Sequence, residues 1–338
     1  MNLLLAGDLT ADEQAEWLLA LRQALPGHRL LLPAQAAAAA ALEDRLQIDA
    51  AIVANPPPGS LRGLPGLRLI QSLWAGVDRL LADPTLPAGV PIARMVDPAM
   101  TAAMAETALW ATLALHRGFF GYARQQQSRL WQRQPQHRAD ECPVLVLGHG
   151  QMGRAVAHRL AQQGYPVAAW RRGAAQVNPP AAATELCAEL SAELSAERGA
   201  VRLLTGAAAL GPALASSQIV INLLPLTPDT RGLIDAHFLA GLPRSAGLVN
   251  LARGAHLVDV DLLAALASGQ IGHAVLDVFN TEPLPADHAY WQHPQVTLLP
   301  HAAAATDARS AATVVARNIE ALAAGQPLHD LVARDAGY

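Results

Sequence analysis

Short apolar runs alternate with longer stretches in which apolar positions recur every three or four residues, and the pattern occurs twice along the chain. In the first hundred residues the runs are NLLLAG, HRLLLP, DAAIVAN and LRLIQSLWAG, with DEQAEWLLALRQAL as the clearest helical stretch between them. The rhythm restarts at CPVLVLG and continues through PVAAW, QIVINLLP, GLVNLA, HAVLDVF and VTLLP. Runs this continuously apolar predict strands covered by helices on both faces, as in a parallel sheet wound with crossover helices. The alanines from Ala36 to Ala41 predict a short crossover helix, because alanine is the best helix former. Thr101 to Trp131 has long helical character broken near Arg117 and Gly118, as expected of a helix that joins two domains. Gln176 to Gly206, with its repeated CAELSAELSAE, is expected to form a solvated surface helix. A last helix is expected from Thr306 to Ala324, closed by Gly325, and the tail to Tyr338 carries no strand signal.

Three apolar runs finish on ionisable groups of different types. LVNLARG leads to Arg253, AVLDVFNTEP to Glu282 and VTLLPH to His301. The carboxyl ends of parallel strands open toward a ligand crevice, so three such groups are expected to meet there. A small molecule carrying a carboxylate beside a carbonyl would need, at such a crevice, a cation for those oxygens and a proton donor for an oxygen that gains charge. An imidazole titrates near neutral pH and a neighbouring carboxylate helps it hold its proton, which suits His301 and Glu282 to the donor and its partner. A guanidinium offers two parallel N–H groups to a carboxylate, which suits Arg253 to the cation.

GHGQMG places Gly148, Gly150 and Gly153 in the G-x-G-x-x-G spacing, after the apolar run Val144 to Leu147 and before the amphipathic stretch Arg154 to Gln163 that Gly164 ends. That strand, turn and helix order assigns Gly148 to the tight turn, Gly150 to close approach of a pyrophosphate and Gly153 to helix–strand packing. The pyrophosphate would lie at the helix's amino end, where free N–H groups favour an anion. The second strand, PVAAW, would end on an acid in an NAD-binding fold, yet it leads into Trp170, Arg171 and Arg172. Two cations there favour the 2′-phosphate of NADPH over NADH.

Composition narrows the field further. A chain of 338 residues is expected to hold two domains. The net charge of -4 provides no basic footprint for a nucleic acid. Lysine is absent, which excludes Schiff-base chemistry and leaves arginine and histidine as the side-chain cations. Cys142 and Cys187 have no metal-ligand spacing, so no metal is expected. No basic leader or membrane-length apolar stretch is visible, and the expected location is the cytoplasm.

With these motifs in place, the sequence resembles the D-isomer-specific 2-hydroxyacid dehydrogenases, and within them the bacterial glyoxylate and hydroxypyruvate reductases. The resemblance covers most of the chain and is strongest in VLGHGQMGRAVAHRL, INLLPLTPDTRGLI, LVNLARGAHLVDVDLLAALASGQIGHAVLDVFNTEPLP and WQHPQVTLLPH. It implies an α/β fold with two doubly wound parallel-sheet domains and a cleft between them. These would be a flavodoxin-like substrate domain, residues 1–97 with 301–338, and a Rossmann cofactor domain, residues 98–300. It implies Arg253, Glu282 and His301 as the catalytic trio, backbone N–H groups of Ala75, Gly76 and Val77 on the substrate carboxylate, and Trp74 as a pocket wall. It further implies that Gln151, Met152, Leu224, Pro225, Leu251 and Ala252 lie along the cofactor, Thr230 near its phosphates and Asp277 near the nicotinamide carboxamide. A homodimer built by the region around Arg117 to Trp131 is implied, with Trp131 directed at the neighbouring subunit's site. The expected reaction is NADPH-dependent reduction of glyoxylate or hydroxypyruvate. The alternatives are an NAD-using dehydrogenase for a larger 2-hydroxy acid and, outside enzymes, a dinucleotide-sensing binding protein of the corepressor kind. The acidic repeat after Arg172 is the main departure from the family.

Overall fold

The computed structural model describes residues 1–33, 47–173, 200–335 and 337. The alanine run at 36–41, Cys187, the CAELSAELSAE repeat and Tyr338 lie outside the described residues. The chain divides into two compact units, Met1–Met100 with Ala305–Tyr338, and Thr101–Ala304. Residues 98–100 thus join the first unit and 301–304 the second, against boundaries expected after 97 and 300. The Asp277 carboxylate accepts from Ala302 N at 2.7 Å and from Ala303 N at 3.1 Å, which ties 301–304 to the second unit.

In the first unit, β1 (Asn2–Gly7), β2 (Arg29–Leu31), β3 (Ile48–Ala54), β4 (Leu69–Ser72) and β5 (Ile92–Ala93) form a parallel sheet in the order β2-β1-β3-β4-β5. That order reverses direction between β1 and β3, the arrangement of flavodoxin-like folds. The helix Ala11–Ala24 starts on a capping box, in which Thr10 and Glu13 satisfy one another's N–H groups. It packs on the helix Ala308–Ala323, which Asp307 caps and which Gly325, at φ 64°, follows. The tail after that helix is not free of strand-like pairing: Leu331 bridges Ala93 antiparallel. This single bridge was below the reach of a pattern based on runs.

The second unit carries a seven-stranded parallel sheet in the order β12-β11-β10-β9-β6-β7-β8. Its strands are β6 (Val144–Leu147), β7 (Val167–Arg171), β8 (Arg202–Thr205), β9 (Ile219–Asn222), β10 (Ala246–Asn250), β11 (Ile271–Leu276) and β12 (Val296–Leu298). Apolar residues fill both faces: Leu145, Leu147, Val220 and Leu248 belong to one core, Val144, Val146, Ile221 and Val249 to the other. β8 corrects the reading of Gln176 to Gly206 as one surface helix, because Arg202–Thr205 pairs with Ala168–Arg171 at the sheet's edge. Trp170 Nε1 donates to Gly206 O at 2.9 Å and pins the end of that strand. The helix Pro98–His116 ends before Gly118, whose φ of 70° starts a second helix, Phe119–Gln127. No described helix is long and apolar enough to cross a membrane.

Candidate active site

The glycine turn has the shape its spacing predicted. Gly148 adopts φ 99°, and a Cβ there would stand 2.7 Å from Leu223 O. A Cβ on Gly153 would meet Gly148 O at 1.9 Å, so the helix Gln151–Gln162 starts flush against the turn. Gly150, the residue before that helix, has open space where a Cβ would be, so its backbone is accessible to a ligand. These features fit a dinucleotide pyrophosphate at the helix's amino end. Gln151 and Met152 form its first turn and are half-buried.

Beyond the turn, Arg171 ends β7 and its Nε donates to Thr205 Oγ1 at 3.3 Å. Arg172 pairs with Asp229 at 2.8 Å, a partner that the sequence reading did not identify. His149, inside the glycine motif, has its pKa lowered by burial first and then by the positive charges of Arg154 and Arg171. Positive potential therefore gathers at the sheet end that a phosphate would approach. Arg154, the first residue after GHGQMG, was legible as a basic residue in a helix's first turn but was not singled out.

Leu224, Leu251 and Ala252 are buried at the ends of β9 and β10. Thr230 is buried too, and its hydroxyl serves its own loop, donating to Pro225 O at 2.8 Å and accepting from Thr227 N at 2.8 Å.

The three ionisable groups lie on loops beyond the strands, not at strand ends as the runs suggested. β10 ends at Asn250, β11 at Leu276 and β12 at Leu298, and Arg253, Glu282 and His301 follow each of them. The loops are brought together by contact. A Cβ on Gly254 would stand 1.9 Å from Phe279 C and 2.4 Å from Asn280 N, so the turn after Arg253 lies on the peptide that leads to Glu282. Phe279 N donates to Glu282 Oε1 at 2.9 Å, and His301 Nδ1 donates to Glu282 Oε2 at 2.7 Å. A carboxylate only accepts, so Nδ1 carries a hydrogen and Nε2 is left to face a substrate. Arg253 Nη1 donates to Ala252 O at 2.7 Å.

His301 occupies the left-handed region at φ 54°, uncommon for a residue with a side chain. Asp277 holds it there: its carbonyl accepts from His301 N at 2.9 Å while its carboxylate takes the next two N–H groups. Burial raises the Asp277 pKa, opposed by those N–H groups and by the positive charge of His301. This backbone role for Asp277 was not foreseen.

In the first unit, Trp74 to Val77 follow β4. Ser72 Oγ accepts from Trp74 N and donates to Trp74 O, both at 3.0 Å, so one buried hydroxyl shapes the turn. Among the described residues, the N–H groups of Ala75, Gly76 and Val77 find no acceptor. Successive open N–H groups are what an anion-binding loop requires. Ser72 was missed, although a serine two residues before a turn is a readable signal.

Residues 109–303 match the family model for the D-isomer specific 2-hydroxyacid dehydrogenase, NAD binding domain. The chain is 39% identical over 316 residues to glyoxylate/hydroxypyruvate reductase A of Serratia proteamaculans, covering 92% of each protein. A D-isomer specific 2-hydroxyacid dehydrogenase from Xanthobacter autotrophicus, solved in complex with NADPH and MES, superposes with a TM-score of 0.84 at 34% identity, covering 99% of both chains. An NADPH-dependent glyoxylate/hydroxypyruvate reductase from Sinorhizobium meliloti, in complex with NADP and sulfate, gives a TM-score of 0.84 at 31% identity over 100% of this chain and 99% of the other.

Proposed function

Because the chain belongs to the D-isomer specific 2-hydroxyacid dehydrogenase family, we propose that it is an NADPH-dependent reductase of small 2-oxo acids, converting glyoxylate to glycolate or hydroxypyruvate to D-glycerate in the cytoplasm. The observation that carries this reading is the 2.7 Å contact between His301 Nδ1 and Glu282, on loops packed against the turn that follows Arg253.

NADPH supplies a hydride to the keto carbon. The chain's own residues do the rest. Arg253 draws the carbonyl and carboxylate oxygens of the substrate, and the open N–H groups of Ala75, Gly76 and Val77 are by themselves of the kind that takes a carboxylate. As the carbonyl oxygen gains charge, His301 delivers the proton on Nε2 and becomes neutral, with Nδ1 still held by Glu282. The glycine turn takes the pyrophosphate, Arg171 and Arg172 take the 2′-phosphate, and Leu224, Pro225, Leu251 and Ala252 give the cofactor apolar walls. Trp74 limits the substrate to small side chains. NADH use with larger substrates and a non-catalytic sensing role are less well supported, since relatives at 39% and 37% identity are named glyoxylate/hydroxypyruvate reductase A.

We further propose a homodimer formed through the region that carries Trp110, Phe119, Leu130 and Trp131, all exposed. Trp110 also lines a recess of about 350 Å³ with Ala302, the residue after His301, which leaves room for a partner's side chain beside the site.

Initial rates of NADPH and NADH oxidation with a panel of 2-oxo acids test the function. NADPH should be preferred, and Arg171→Ala should raise its KM by roughly tenfold, the usual scale of a lost charged hydrogen bond. Cofactor binding without turnover of any acid, or preference for NADH with Arg171→Ala neutral, would overturn the reading.

A further inference from the structure

β9 and β10 lie side by side with Asn222 and Asn250 in register at their ends, and both side chains are fully buried. Burying polar groups costs free energy unless every one of them is paired. Here the backbone sets the direction of each bond. Leu224 N can only donate, and it does so to Asn222 Oδ1 at 3.2 Å, so Asn222 Nδ2 faces the other way. From there Nδ2 reaches Asn250 Oδ1 and His256 Nδ1, each at 3.0 Å. His256 Nδ1 is therefore an acceptor, the ring hydrogen sits on Nε2, and Nε2 donates to Pro225 O at 3.2 Å. On the other side, Asn250 Oδ1 also accepts from Ala252 N at 3.3 Å, which leaves Asn250 Nδ2 to donate to Arg253 O at 3.1 Å.

The imidazole of His256 is completely buried, three residues after Arg253 in the Gly254–His256 turn. Its backbone N–H donates to Arg253 O at 3.3 Å, and its carbonyl accepts from Ile234 N at 2.8 Å. One ring thus joins the loop after β9, which carries Leu224 and Pro225, to the loop after β10, which carries Arg253. Such a junction suits a function better than a core does, since an apolar side chain of similar volume would fill the space without the desolvation cost.

Taking Arg253 as the cation of the proposed reaction, we infer that His256 is a positioning residue, holding the Arg253 loop in fixed register with the Leu224–Pro225 wall through Asn222 and Asn250. His256 touches neither substrate nor cofactor in this role and acts through the Arg253 backbone.

The test is a double-mutant cycle on the full chain, with kcat/KM for glyoxylate or hydroxypyruvate and NADPH affinity measured for each variant. His256→Phe keeps a ring and removes both bonds. It should lower kcat/KM for the 2-oxo acid by roughly 10- to 100-fold, the scale of a lost buried hydrogen bond, with a much smaller change in NADPH affinity. In an Arg253→Lys background the same substitution should cost less than about threefold, because coupled residues are non-additive. His256→Gln, which keeps one donor and one acceptor, should recover part of the loss, and it carries the cycle if His256→Phe does not fold. Equal losses in both backgrounds, or a matching loss of NADPH affinity, would assign His256 a purely structural role and overturn the inference. If Arg253→Lys itself leaves kcat/KM unchanged, the assignment of Arg253 has failed. If Arg253→Lys is impaired while the His256 variants match wild type, the positioning role alone has failed.

Discussion

His301 is held twice, by its ring on Glu282 and by its backbone on Asp277. Removing the charge at one hold without changing its shape separates the two. Glu282→Gln should lower kcat by roughly 10- to 100-fold and leave NADPH affinity unchanged, while His301→Gln should cost about 10²- to 10⁴-fold, the range of general acid catalysis. Stopped-flow NADPH oxidation checks both, and a Glu282→Gln enzyme of wild-type rate would remove that residue from the reaction. The identities of these residues were legible, since an ionisable group closing an apolar run is a visible break in pattern. Their supports were less so. A positive φ at a histidine leaves no trace in periodicity, and Asp277 has the same one-letter code whether it faces a ligand or two backbone N–H groups. Asn222 and Asn250 end the apolar strands themselves, nearer to the run than Arg253, but a neutral amide breaks the pattern less visibly than a charge.

At the scale of elements, the strands of the second sheet could be read as runs because both faces are buried, and β8 escaped because its exposed edge leaves it no such run. β11 carries a different consequence. His273 stacks on Phe120 with ring centroids 4.1 Å apart and bonds Thr297 Oγ1 at 2.9 Å. Burial first, then Arg124 and His293, lowers its pKa to about 4. The unfolded chain takes up this proton near the ordinary value of about 6.5, the folded chain only near 4, so the unfolded state binds more protons between them. Stability is therefore intact above about pH 6.5 and falls as pH drops toward 4, by up to about 3 kcal/mol from this group. Urea unfolding at pH 7 and pH 4.5 should show that loss in wild type and a smaller one in His273→Phe. Equal pH dependence in the two proteins would show that His273 does not set it.

For the molecule as a whole, two alternating series were enough to foresee two parallel sheets, because the period of a buried strand and its crossover helix repeats along the chain. Strand order came from the structure alone, since apolar runs do not say which neighbour each one pairs with. The proposed dimer is tested at this scale. Trp131 is fully exposed on the chain considered by itself. Sedimentation velocity should show a dimer in wild type, and Trp131→Ala should weaken association or raise the KM for the 2-oxo acid. A fully active wild-type monomer would exclude the assembly.

The first unit is made of the chain's two ends. Asn318 Nδ2 donates to Gln71 Oε1 at 2.7 Å, Val332 N to Ile92 O at 2.8 Å, and Ser310 Oγ to Asp97 at 2.9 Å. During synthesis the earliest hundred residues leave the ribosome long before the helix Ala308–Ala323 that covers them, while Thr101–Ala304 can already close on itself. Of these two units the one begun first thus closes second, and it is the one that carries the open N–H groups at Ala75–Val77.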